Sequence, residues 1–534
     1  MAKYDYIIVG GGTAGCVLAN RLTENSNVSV LMLEAGGKDN HPYIHMPVGF
    51  AKMTTGRYIW GFNTVPQKHA HDREIPYAQG KVLGGGSSVN AEVFTRGNPA
   101  DYDRWAKEEG CEGWSYSDVH PYYIKSEGNA YLSGEWHGTD GPLGVSELTN
   151  PQPISRAFVQ ACQEAGMDYN PDFNGAKQAG AALYQTTTKN AKRCSASVGY
   201  LKPVMGRPNL TVVTNCTVQR MLMKATKVVG VEYAKKGGQL VQDHINKDVL
   251  LTAGAIGSPK LMMLSGIGPA DHLAEVGIEA KLNLPGVGEN LNDHFGVDIV
   301  AQLKGKDSLD IYNNPIRAAL AGIQYYVFKT GPVTSNVVEA GGFWYSHLAD
   351  RELYPDYQFH FLAGAGAEDG VPTIDSGCGI TLNSYTVRPK SRGTVKLQSN
   401  KVEDAPLVDP NFMAEEYDRQ VSAEGVRACC EIFAQPSLQK YIKRMVNPER
   451  QLTSLKECED YARQYGRTSY HPTCTCKMGT DDMSVVNPKD LRVYGIEGLR
   501  ICDSSIMPSL IGSNTNAPTV MIAEKAADMI KADW

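Results

Sequence analysis

The chain has no apolar run of the roughly 18 residues that a membrane span needs, and no basic stretch followed by an apolar one at its N-terminus. Neither a spanning helix nor a secretory leader is expected, and a cytoplasmic location is the simplest reading. Charge of one sign is also scarce. The 52 Lys and Arg nearly balance 58 Asp and Glu, giving a net charge of -6 with no basic stripe, which argues against a nucleic-acid partner. The 12 cysteines show no repeated C-x-x-C spacing, and a chain this long needs no disulfides, so reduced thiols and no metal site are expected. Cys474 and Cys476, one residue apart, read as packing residues near something important. Six tryptophans offer little material for an aromatic cage around a cationic substrate.

What is present is ordinary globular composition, 42% hydrophobic and 21% charged, spread over 534 residues. That length exceeds what one core usually serves, so two domains or a two-lobed fold is expected. Residues 4–9 read as a buried strand, 14–22 as a helix and 28–33 as a second strand, a βαβ unit. Val249 to Ala253 reads as another buried strand, with a helix-like apolar stretch after it. From about Gly296 the pattern changes to strand-like alternation at 357–361, 379–387 and 393–397, the mark of a separate sheet. The chain closes on an amphipathic helix from about Thr519 to Ile530.

Gly10-x-Gly12-x-x-Gly15 directly follows the first strand and opens the first helix, the context a dinucleotide-binding turn requires. Gly10 permits the tight turn, Gly12 lets backbone approach a pyrophosphate, and Gly15 lets helix and strand pack closely. Unpaired N–H groups at the helix start would face the phosphates. Glu34 follows Gly15 by about 20 residues, where a carboxylate accepts hydrogen bonds from ribose hydroxyls. This half of the site does not distinguish NAD from FAD.

Four further motifs lie in order along the chain: the Gly80–Asn90 block with Gly84, Gly85 and Gly86; Gly254–Gly268; Leu284–Leu291; and Tyr470-His471-Pro472 with Asn514-Thr515-Asn516-Ala517-Pro518-Thr519. Together with the first turn they resemble the glucose-methanol-choline (GMC) oxidoreductases from Tyr4 to the C-terminus. The resemblance implies FAD, an α/β chain with a Rossmann-like FAD-binding domain, and a second, substrate-binding domain built on an antiparallel sheet flanked by helices. The first domain is expected to be discontinuous, from 1–155, 205–300 and 465–534, with 156–204 and 301–464 forming the second. By position His471 matches the family's active-site histidine and Asn516 its second residue, which is His or Asn in different members. Read without the family, Asn516 is equally an N-cap with Pro518 in the first helical turn.

Beyond the three glycines and Glu34, the resemblance places Thr13, Ala14, Ala35 and Trp60 against the cofactor. It adds Leu83, Gly84, Gly85, Ser88, Asn90, Ala91 and Val93 from the second glycine block. Val218, Ala253, Asp503, Asn516, Pro518 and Thr519 complete the set, Asp503 reading equally as a turn or cap residue. Val89 stands where some members carry a histidine bonded to FAD, so the flavin here is expected to be non-covalent.

The implied reaction is alcohol oxidation. Taking a proton from an alcohol of pKa roughly 16 at neutral pH costs about 9 units, on the order of 12 kcal/mol, which a histidine near 6.5 does not meet unaided. Proton removal must be coupled to hydride departure or helped by hydrogen bonds to the developing alkoxide. Several stretches, among them 41–56, 360–368 and 467–478, resemble the sorbose-oxidising members. Those imply oxidation of a primary alcohol of a sugar or polyol, L-sorbose to L-sorbosone, with electrons passed to a non-oxygen acceptor such as a quinone. Tyr470, Glu339, Asn336 and His360 are candidates to line the polar pocket. Related activities stay open: a dehydrogenase or oxidase acting on polyethylene glycol, choline or an aryl alcohol, or a lyase that keeps FAD without redox. Oligomeric state is not legible.

Overall fold

The computed structural model describes residues 2–368 and 370–534. Strand β1 (Lys3–Val9), helix α1 (Thr13–Leu22) and strand β2 (Val30–Glu34) form the expected βαβ unit. Their inner residues are almost all apolar and buried, as parallel strands covered on both faces require. β1 pairs in parallel with β2 on one side and with the strand Leu240–Leu251 on the other. Leu210–Thr214 extends this sheet in parallel beyond β2, and Leu499–Ile501 joins Leu240–Leu251. A long hairpin, Cys216–Lys224 and Lys227–Lys235, adds two antiparallel strands at the far edge and completes seven.

The second sheet also has seven strands, and every pairing in it is antiparallel. It contains Phe295–Leu303, Val338–Trp344, Tyr357–Leu362 and Gly379–Thr386, with Gly180–Leu183, Ile442–Asn447 and Arg467–Thr468 at its margins. The helices Pro153–Glu164 and Glu416–Phe433 supply apolar side chains to the same core, where Phe158 stacks on Phe361 at 4.6 Å. Among the described residues no helix is long and apolar enough to cross a membrane.

Differences from the sequence reading have physical causes. The strand at 394–396 pairs with Leu407–Asp409 in a separate ladder and does not enter the large sheet. Phe295–Leu303 lies wholly in the second sheet, so the change of sheet falls inside the span assigned to the first domain. That strand is buried along its whole length and Val338–Trp344 nearly so, leaving no polar alternation to reveal them.

The two sheets are tied by a buried ion pair. Asp101, inside the first turn of the helix Pro99–Lys107, accepts the N–H of the cap residue Asn98 at 3.0 Å and the Gly512 N–H at 2.9 Å, and receives the Arg388 guanidinium from the segment that follows Gly379–Thr386. Both side chains are almost fully buried. Removing one partner leaves a buried charge, so Arg388→Met is expected to cost about 3 kcal/mol. Thermal melting several degrees below the parent, with part of the loss regained on adding Asp101→Asn, checks this; an unchanged melting temperature would refute it.

Candidate active site

A cavity of about 350 Å³ runs between the two sheets. At one end lies the glycine turn. Gly10 has φ +109°, and a Cβ there would stand 2.5 Å from the Thr252 carbonyl oxygen. Gly85, with φ +53°, brings the second glycine block against the first, since its Cβ would lie 2.8 Å from the Gly12 Cα. α1 begins with no side-chain cap and no acid in its first turn, so its N–H groups point at the cavity as an anion seat. Glu34 lines the cavity and accepts the Gly11 and Gly36 N–H groups at 2.7 and 2.6 Å. Burial nevertheless raises its carboxyl to about 7.

Of the residues assigned to the cofactor, Gly10, Gly12, Thr13, Ala14, Glu34 and Ala35 line this cavity. Trp60, Gly85, Asn90, Ala91, Val93, Val218, Ala253, Asp503, Asn516 and Thr519 line it as well. Gly15, Leu83, Gly84, Ser88 and Pro518 stand behind the wall. Gly15 packs on the Gly10 carbonyl, and the Ser88 hydroxyl donates to the Leu83 carbonyl at 2.7 Å, bracing the second glycine block. Asp503 accepts from Gly254 N–H and Ser258 hydroxyl with one oxygen and from Ser505 with the other. It is therefore both a turn cap and a wall residue.

His471 stands at the opposite end. The strand Arg467–Thr468 delivers it, Tyr470 turns the chain with φ +64°, and Asp293 accepts the His471 N–H at 2.8 Å. Two chains of hydrogen bonds set its tautomer. His294 Nε2 lies 3.1 and 3.2 Å from the carbonyls of Val387 and Ile511, which only accept, so Nε2 carries the proton. His294 is fully buried, and burial, with His471 beside it, holds it neutral. Its Nδ1 is then an acceptor, and His471 Nδ1, at 3.0 Å, must be the donor. That leaves the lone pair of His471 on Nε2.

Asn514 confirms the assignment. Its Oδ1 accepts from the Thr95 hydroxyl at 2.9 Å and from Gln358 Nε2 at 3.1 Å, which orients its Nδ2 toward His471 Nε2 at 3.2 Å. A donor there faces a lone pair. Burial lowers His471 to about 3, and His360, buried and near His471 and Arg467, is also lowered to about 3.

Asn516 lines the same cavity as His471, while its reading as an N-cap is corrected. The C-terminal helix runs Asn516–Lys531 with Thr515 as its cap, so residue 514 lies in the preceding loop facing His471 while 516 starts the first turn. Asn516 Oδ1 instead accepts the Thr13 hydroxyl at 3.0 Å, tying this helix to the glycine turn. It makes no cap of its own. Glu339 and Asn336 are also corrected, since neither lines the cavity. Val338 does, and on an extended strand Glu339 points to the opposite face, where Ser155, Ser335 and the Gln152 N–H satisfy it. Asn336 donates to the Ala91 carbonyl. His360 and Tyr470 do line the cavity.

Residues that the sequence did not single out support the wall from behind or, as Arg467 and Glu368 do, stand in it. Tyr385 bonds His360 at 2.9 Å, and Arg467 is held between Asp298 and Glu368. Asp293 and His294 follow the Leu284–Leu291 motif with only Asn292 between, and that nearness was the one available signal. Among the described residues no cluster could hold a metal ion. All 12 cysteines, Cys474 and Cys476 included, are free and buried.

The GMC oxidoreductase family model matches residues 4–296 in its N-terminal part and 389–523 in its C-terminal part. The chain belongs to the GMC oxidoreductase family. It is 42% identical over 531 residues, 99% of this chain and 95% of the relative, to the alcohol dehydrogenase [acceptor] of Pseudomonas putida. It is 40% identical over 540 residues to the mitochondrial choline dehydrogenase of Homo sapiens, covering 99% of this chain and 90% of that one. Formate oxidase of Aspergillus oryzae superposes with a TM-score of 0.93 at 28% identity, covering 100% of this chain and 98% of that one. Pyridoxine 4-oxidase from Mesorbium loti gives 0.89 at 26%, covering 99% of each.

This GMC oxidoreductase is therefore an FAD-dependent enzyme acting on CH–OH donors, with the mixed α/β fold of the family. The donor set suits FAD: a glycine turn that a Cβ would block, an uncapped helix start, and a carboxylate at the end of β2.

The neutral imidazoles make a prediction about acid. In the unfolded chain they titrate near about 6.5, so as pH falls from there toward 3 the unfolded chain binds protons that the fold refuses, and stability is lost. His360→Gln is expected to lose less melting temperature than the parent between pH 7 and pH 4.5. Equal losses in both would show that His360 takes up its proton as readily in the fold as in the unfolded chain.

Proposed function

We propose that this enzyme is a dehydrogenase that oxidises the primary alcohol of a small neutral, polyhydroxylated substrate, with L-sorbose to L-sorbosone as the first reaction to test. The observation that carries the chemistry is the lone pair on His471 Nε2, held toward the cavity by His294 and Asn514. A substrate hydroxyl placed there donates its proton to Nε2, while Asn514 Nδ2 turns its N–H to the developing alkoxide. FAD, when bound, supplies the two-electron sink for the hydride leaving the carbinol carbon. His471 Nδ1–H stays bonded to His294, so the ring keeps its orientation as it gains charge.

Support for a neutral substrate comes from the cavity's carboxylates. Among the described residues, Glu368 is paired with Arg467, Glu92 with Arg193, and Glu34 and Asp503 with backbone N–H groups. None of these carboxylates stands without a cation or N–H group beside it, which disfavours a cation such as choline. Asn383, Ser469, Tyr470 and His360 offer polar contacts suited to several hydroxyls. Val338, Leu362 and Phe50 in the same wall favour a second reading, a simple aliphatic alcohol, as does the similarity to the P. putida alcohol dehydrogenase. The name of that relative also supports an acceptor other than oxygen, such as a quinone. Val89 lines the cavity with hydrocarbon only, which supports a non-covalent flavin.

His471→Gln is expected to lower kcat by roughly 10² to 10⁴. Asn514→Ala should lower kcat more than it raises KM, whereas Asn516→Ala should mainly loosen the flavin. Full turnover in His471→Gln, or a larger kcat loss at Asn516 than at Asn514, would sink the assignment. Anaerobic mixing with L-sorbose, other sugars, aliphatic alcohols and choline, watching the flavin spectrum, separates the substrate readings. Fastest bleaching by choline would reject a neutral substrate. Hydrogen peroxide released as fast as substrate disappears would reject the dehydrogenase reading.

A further inference from the structure

The helix Pro315–Phe328 is inside out. It buries only Ala321 and Tyr325, while Ile316, Leu320, Ile323 and Val327 are each 60–71% exposed. Their spacing of four, three and four residues lines them up on one face, with Phe328 at the end, 69% exposed. A contiguous apolar surface of this kind marks an interaction site.

Charge around the helix is equally one-sided. Ala321 and Tyr325 pack with Met46, Val48 and Ala191, so three segments build this face: the stretch after residue 41, the hairpin at 188–193, and the helix itself. Residues 41–71, 173–231 and 311–338 contain no Asp or Glu, in a chain that has 58 of them. Arg317 and Lys329 lie near the two ends of the apolar stripe, and Lys189 and Lys192 stand on either side of Ala191. Glu147, exposed on the segment that bonds Thr188 and Gly331, is an acid at the margin of this face, and two other carboxylates near it are held by partners. Glu92 is buried against Arg193, and Asp310 accepts the Gly379 and Ala365 N–H groups.

We propose that this face docks on an anionic lipid bilayer, the helix lying in the interface with its apolar stripe inserted and the basic side chains among the headgroups. An exposed apolar stripe on segments that carry cations and no acid of their own is the pattern of an interfacial helix. A second copy of the chain fits less well, because a two-fold pairing sets the same face against itself and opposes cations with no acid on those segments to pair them. The docked segment also carries Phe50 and Met53 in the cavity wall, which puts the active site next to the lipid surface, where an apolar electron acceptor would reside. This inference stands apart from the choice of substrate.

The test is sedimentation of the holoenzyme with vesicles of phosphatidylcholine alone and of phosphatidylcholine with phosphatidylglycerol. The parent should bind the second far more tightly and release partly in high salt. Leu320→Gln, Ile323→Gln and Phe328→Gln together should weaken that binding roughly tenfold or more, with melting temperature and turnover toward a soluble dye unchanged. The proposal is overturned if the parent stays in the supernatant with anionic vesicles, or if the triple variant binds as the parent does. A concentration-dependent dimer that the triple variant abolishes, without vesicle binding, would overturn it in favour of a second copy.

Discussion

The site depends on one hydrogen bond between two imidazoles. His294 can accept at Nδ1 only because two backbone carbonyls, Val387 and Ile511, take the proton on its other nitrogen. His471 must then donate from Nδ1, and its lone pair is left facing the cavity. Those carbonyls come from the segment after Gly379–Thr386 and from the loop before the C-terminal helix, so the state of the base rests on both domains being in register.

Burial reinforces that arrangement. A charged imidazole in a dry pocket is costly, so His471, His360 and His294 remain neutral, which is what a base needs before it takes a proton. The same desolvation makes His471 a weak base at rest. Its proton transfer must therefore proceed together with loss of the hydride, when the substrate oxygen is becoming a carbonyl. At the other end the cavity offers the reverse environment, an uncapped helix start and backbone N–H groups suited to phosphate. One cavity thus suits an anion at one end and keeps its imidazoles neutral at the other.

The active-site residues come from distant parts of the chain. Thr95, His294, Gln358, His471 and Asn514 meet only because the antiparallel sheet brings 295–303, 357–362 and 467–468 beside the C-terminal loop. The Asp101–Arg388 pair and the Gly512 N–H hold that loop in place. Stability and chemistry therefore share the same stretch from 509 to 516, and the outward-facing helix Pro315–Phe328 is one element that the internal packing does not explain.

By itself the sequence determined the dinucleotide half of the protein. The turn at Gly10–Gly15, the strands around it and Glu34 are local, and a glycine that must admit backbone at 2.5 Å is visible without knowing the rest. It also identified His471, through its place in an ordered series of motifs. Only the tertiary structure brought Asn514 against His471, because both 514 and 516 are asparagines beside Thr515 and their difference lies in where a helix begins. It alone separated His360, which faces the cavity, from Glu339, whose carboxylate is turned to the other side of a strand buried on both faces. The tautomer of His471 was likewise beyond the sequence, since it is set by carbonyls at 387 and 511, and any residue has a carbonyl.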